Sequence, residues 1–204
     1  MIAIVDYGVG NIFSLYSSFA YIGADARLTS DKDEIIRADK IILPGVGAFG
    51  DASTKLRESG LAELLCEEAK KGKPLLGICL GMQMLLEKSF EYGEHAGLGL
   101  IKGNITPIKD VIPEDYKVPH IGWNAIKFPA DKPKNELFKY VNEGEHIYFV
   151  HSYHASDCPD VIATSEYGAE LTAAVARSNV YGAQFHPEKS GEVGLNILRA
   201  FCEI

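Results

Sequence analysis

The chain has 204 residues, 47% of them apolar and 24% charged, with a formal net charge of −8. That size and balance describe one globular domain over residues 1–204 that buries a full core. An acidic chain without a Lys/Arg cluster argues against nucleic acid or an anionic membrane as partner, and no apolar stretch reaches membrane-spanning length.

The opening residues Met1-Ile2-Ala3-Ile4-Val5 read as a strand, not as the basic and apolar regions of a secretory signal. Ile12, Leu15, Tyr16, Phe19 and Ile22 then recur at helical spacing, with Gly23 as the stop. Residues 24–28 and 40–43 predict further strands around a short helical stretch at 31–38. Leu56, Leu61, Leu64, Leu65 and Ala69 predict one or two helices ending at Gly72. Residues 75–78 predict a strand, and Met82, Leu85 and Leu86 a helix directly after it. Such strand–helix alternation predicts an α/β fold with a mainly parallel sheet covered by helices on both faces. The second half has short strand-like segments near 101–108, 126–128, 146–150, 161–165, 171–176 and 180–185, which predict an additional antiparallel segment. The stretch from Pro113 to Pro133 reads as a surface loop, and 194–201 as a closing helix.

The four cysteines (Cys66, Cys79, Cys158, Cys202) are widely spaced without a CxxC pair, which predicts reduced thiols in a cytoplasmic protein. Cys66 and Cys202 sit on apolar helical faces and read as core. Cys79 differs: Gly77 and Gly81 flank it where a strand turns into a helix. Small residues on both sides allow the sharp elbow that lifts a nucleophile clear of the backbone, and a helix N-terminus favours thiolate. A buried thiol closing a core strand fits those residues equally well.

A nucleophilic cysteine needs a base and acid, and Gln184-Phe185-His186-Pro187-Glu188 offers both. Imidazole serves either role near neutral pH, and the carboxylate of Glu188 would fix its tautomer. Pro44-Gly45-Val46-Gly47 follows another buried strand, where glycine lets a backbone N–H face a ligand. The N–H of Leu80 is the obvious first oxyanion donor, with the Val46–Gly47 amide as the second. The Asp6-to-Asn11 loop fails as a dinucleotide fingerprint because Phe13 holds the third glycine position. His151 and His154, three apart on an extended strand, would face opposite ways, which argues against a metal pair.

Taken in order along the chain, these segments resemble the class I (triad-type) glutamine amidotransferases. The matching stretches are Asp6-Tyr7-Gly8-Val9-Gly10-Asn11, Pro44-Gly45-Val46-Gly47, Gly77-Ile78-Cys79-Leu80-Gly81-Met82-Gln83, Pro119-His120-Ile121-Gly122-Trp123-Asn124, Tyr148-Phe149-Val150-His151-Ser152-Tyr153 and Phe185-His186-Pro187-Glu188-Lys189-Ser190. The first, second and fourth point to the branch that serves imidazole glycerol phosphate synthesis. The resemblance implies a flavodoxin-like open sheet and a glutaminase with Cys79 as nucleophile and His186 with Glu188 as its acid–base pair. It places Gln83, Ser152 and Tyr153 on the glutamine backbone and Glu91 on its ammonium, although Ser89-Phe90-Glu91 departs from the usual Ser-Glu-Glu. It also implies no cofactor and a separate (β/α)8-barrel cyclase subunit as heterodimer partner. Pro119, Trp123 and Lys189 are the expected contacts to that subunit. Glutaminase subunits of other synthases, such as those for pyridoxal phosphate or anthranilate, are the nearest alternatives. A cysteine hydrolase of similar fold and a nucleotide- or flavin-binding module are more distant ones.

Overall fold

A computed structural model describes all residues, 1–204. Its first half runs β1 (Ile2–Val5), α1 (Ile12–Tyr21), β2 (Ala26–Thr29), α2 (Lys32–Arg37), β3 (Lys40–Leu43), α3 (Phe49–Glu58), α4 (Leu61–Lys70), β4 (Leu75–Ile78) and α5 (Leu80–Leu85). The second half adds β5 (Lys88–Ser89), β6 (His95–Ala96), β7 (Asn104–Pro107), β8 (His120–Lys127), β9 (His146–His151) and β10 (Tyr153–Ser156). It closes with β11 (Val161–Glu166), β12 (Glu170–Arg177), β13 (Val180–Ala183) and α6 (Gly191–Glu203).

Nine strands form one open sheet in the order β2-β1-β3-β4-β13-β12-β11-β8-β9. The five from β2 to β13 are parallel and the rest antiparallel, so the sheet is mainly parallel at one side with an antiparallel extension. Strands β1, β4 and β13 are buried at every residue, as expected where helices cover both faces. One face carries the apolar sides of α2, α3 and α4 through Ile35, Phe49, Leu56, Leu61 and Leu65. The other carries α1 and α6 through Leu15, Phe19, Ile197, Leu198 and Phe201. A small second sheet, β10-β7-β5-β6, lies beside the first. No helix is long and apolar enough to cross a membrane.

Several expectations need correction. The stretch 113–133 is not all loop, because β8 occupies its centre. Only two of the strand's eight residues are buried, and the apolar Ile121 and Trp123 are exposed rather than core-facing, so it does not read as a core strand. Of the one or two helices expected before Gly72 there are two, broken at Ser59-Gly60, where Gly60 adopts φ 67° ahead of α4. The helix after Cys79 ends at Leu85, since Lys88 and Ser89 join the small sheet. Cys66 and Cys202 are partly exposed, and all four cysteines are free thiols.

Candidate active site

Parallel sheets gather ligands at the carboxyl ends of their strands. Three adjacent strands, β3, β4 and β13, end together and pass into Pro44-Gly45, Cys79 and Gln184-Phe185-His186 respectively. Parallel register aligns Ile78 with Ala183, and the Cys79 N–H donates to the Ala183 carbonyl at 2.7 Å. Cys79 is held at φ 53°, ψ −113°, a conformation that L-residues rarely adopt. The elbow needs small neighbours: a Cβ on Gly77 would lie 2.6 Å from the Gly81 carbonyl oxygen, and one on Gly81 1.8 Å from that of Leu43.

His186 and Glu188 form a buried pair, Nδ1 to Oε1 at 2.8 Å. Burial works against an imidazolium at His186, but hydrogen bonds and charge from Cys79 and Glu188 outweigh it and push the ring up to about 9. The His186 backbone is pinned as well. Its N–H donates to the Tyr148 carbonyl at 3.0 Å, while Ser190 Oγ–H donates to the His186 carbonyl at 2.7 Å.

The cavity above Cys79 encloses about 300 Å³. It is lined by Cys79, His186, Leu80, Val46, Gly47, Gln83, Glu91, Ser152, Tyr153 and Pro119, together with Val150 and His151. Glu188 stands behind His186. Glu91 is fixed by the α3 N-terminus, since the Phe49 N–H donates to its Oε2 at 2.6 Å. The Leu80 N–H donates to the Gly45 carbonyl at 3.3 Å, so a main-chain oxygen occupies the direction in which an oxyanion would be bound. Tyr7 Oη–H holds the same loop through the Pro44 carbonyl at 2.9 Å.

A family model described as "Glutamine amidotransferase class-I" matches residues 3–203. "Imidazole glycerol phosphate synthase subunit HisH" of Wolinella succinogenes is 50% identical over 207 residues, covering 100% of both chains. The protein of the same name from Bacillus cereus is 51% identical over 203 residues, covering 98% of this chain and 93% of its own. This chain belongs to the class-I glutamine amidotransferases. The fold agrees too: the structure titled "Structure of PurLQS from Thermotoga maritima" superposes with a TM-score of 0.74 at 23% identity, covering 99% of this chain and 97% of that one.

Within this amidotransferase, Trp123 and Lys189 lie outside the cavity. Both flank Tyr148: the Trp123 ring centroid is 5.8 Å from that of Tyr148, and Lys189 Nζ is 5.7 Å from the same ring. Trp123 is 51% exposed and its neighbour Ile121 59%. Three groups at the site were given no role there by the sequence. Gln184 is buried, with Nε2 3.9 Å from Cys79 Sγ and Oε1 accepting from Gln83 Nε2 at 3.0 Å. Ser190 braces His186. His151 lines the cavity, and burial pulls its ring down to about 3. The expectation that His151 and His154 share one extended strand fails, because the chain breaks at Ser152 between β9 and β10. The alternation rule used for that pair therefore does not apply.

Proposed function

We propose that the chain, as one catalytic unit, hydrolyses glutamine for an imidazole glycerol phosphate synthase of histidine biosynthesis, working in the cytoplasm beside a (β/α)8-barrel cyclase subunit. The observation that carries this reading is the Cys79 elbow set against the buried His186–Glu188 pair, in a chain about half identical, end to end, to HisH subunits.

Cys79 as thiolate attacks the side-chain amide carbon of glutamine, forming the C–S bond and placing negative charge on the oxygen. His186, kept protonated beside Cys79 and Glu188, donates its proton to the nitrogen as the C–N bond breaks, so ammonia leaves and a thioester remains. The now neutral imidazole takes a proton from water, the resulting hydroxide attacks the thioester, and the C–S bond breaks to give glutamate. Glu91 offers the negative charge for the substrate ammonium, and Gln83, Ser152 and Tyr153 line the end of the cavity that would hold its backbone.

The oxyanion needs donors that the resting loop withholds. Rotation of the Gly45–Val46 peptide would carry the Gly45 oxygen away from Leu80 and turn the Val46 N–H inward, freeing Leu80 as the first donor. Glycine at 45 frees the backbone on one side of that peptide, which lowers the cost of the rotation. The partner would cover the face bearing Pro119, Ile121, Trp123 and Lys189, which Pro119 joins to the cavity, since free ammonia would be protonated in bulk water. A glutamine-like electrophile tests the site directly: the reading expects one adduct per chain, at Cys79, and an adduct elsewhere or none would overturn it.

A further inference from the structure

Two histidines outside the triad lie in register on neighbouring strands, His120 on β8 and His151 on β9. Their rings form a chain of contacts between two oxygens. His151 Nδ1 is 2.8 Å from the Tyr153 carbonyl, His151 Nε2 is 3.0 Å from His120 Nδ1, and His120 Nε2 is 2.8 Å from Asn124 Oδ1. Both end atoms are acceptors. The amide of Asn124 is oriented by its Nδ2, which donates to the Glu166 carbonyl at 2.8 Å. Each contact needs a hydrogen, yet two neutral imidazoles bring only two. With two, one contact sets lone pair against lone pair. With three, every contact is a hydrogen bond and the pair carries one positive charge.

No carboxylate of the chain lies at ion-pair distance from either ring, although Glu91 lines the same cavity as His151. Phe149 and Tyr167 rings stack against His120. His154 on β10 and His186 ahead of α6 act on His151 only as further potential cations. Among the histidines, only His186 has a carboxylate at ion-pair distance. Burial lowers both rings of the pair, which makes a third proton conditional on an anion from outside. His151, Ser152 and Tyr153 share one wall of the cavity read above as the glutamine site, and glutamine brings an α-carboxylate that must lie away from Glu91.

We propose that the His120–His151 pair senses the substrate carboxylate, taking up one proton as glutamine docks and locking the turn at Ser152. The inference rests on the glutamine reading of the cavity. The lock reaches the substrate wall because the Tyr153 carbonyl held by His151 also accepts from Gln83 Nε2 at 3.4 Å. The pair thereby selects free glutamine over glutamine whose carboxyl is blocked in an amide or peptide.

The test is nitrogen-15 NMR of the histidine-labelled full chain carrying Cys79→Ala, at pH 8, alone, with saturating L-glutamine, and with L-glutaminamide. The two rings should hold two N–H protons alone, three with glutamine, and two with the amide. The same count in all three samples overturns the proposal. In the wild-type chain, KM for glutamine should rise about tenfold per pH unit across the window where one proton is taken up on binding. His120→Asn should have a KM flat across that window, whereas a merely structural role for His120 would raise KM equally at every pH. If the count fails to respond while the wild-type chain still hydrolyses glutamine, this inference alone falls. If the wild-type chain in complex with its cyclase subunit does not turn glutamine over, the reading of the cavity falls with it.

Discussion

At Cys79 the backbone stores strain at the atom that must be presented. A non-glycine residue at φ 53°, ψ −113° costs on the order of 1–3 kcal/mol. Two inactive variants read that strain out: Cys79→Gly should be more stable than Cys79→Ala, by about 1 kcal/mol in urea melts, the reverse of the usual order. His186 gives a second residue-scale expectation. Its raised value keeps the imidazolium below about pH 9, so kcat/KM should fall as pH rises through that point. Glu188→Gln removes one of the groups that raise it, so this alkaline limb should move to lower pH and kcat should drop about 100-fold or more. Cys79, His186 and Glu188 were readable in the sequence because each lies in a short local pattern. Gln184 and the His120–His151 pair were not, since their partners are 105 and 31 residues away and only strand register joins them.

The decisive element is the β4–α5 turn, which fits only because glycines let backbones touch. Gly81→Ala would drive a methyl group into the Leu43 carbonyl, and should cost about 3 kcal/mol or more while abolishing turnover; a soluble, fully stable variant would contradict that packing. Before the other end of β4, Glu68 of α4 is buried between Lys71 and Lys73, at 2.6 Å from each. Lys73 in turn donates to the Ile35 and Ile36 carbonyls near the end of α2. Hydrogen bonds from the two lysines hold the Glu68 carboxyl below the usual range. Its stabilisation is therefore complete above the ordinary carboxylate range and lost as pH falls through the lowered value. Glu68→Gln should lower Tm at pH 7, and the gap to wild type should close in acid. The parallel strands were readable because burial on both faces leaves apolar runs at 2–5, 41–43 and 75–78. β8 and β10 were not, since one is only partly buried and the other starts at the Ser152 break.

Across the whole molecule, the cavity above Cys79 adjoins the exposed face of β8. The sheet brings three strand ends to the cavity, and Pro119 links that cavity to the exposed Ile121 and Trp123 on β8. Trp123→Ala should leave the fold intact while weakening partner binding and the transfer of ammonia into product, measured as the ratio of product formed to glutamate released. The central claim is that Cys79 supplies ammonia to a separate synthase rather than performing the synthesis itself. The most direct measurement compares imidazole glycerol phosphate formation by the Cys79→Ala chain in complex with its cyclase subunit, first with glutamine and then with an ammonium salt. Glutamine-dependent synthesis should vanish while ammonia-dependent synthesis persists at the wild-type rate. Retained glutamine-dependent synthesis, or loss of both activities in an intact complex, would contradict the claim.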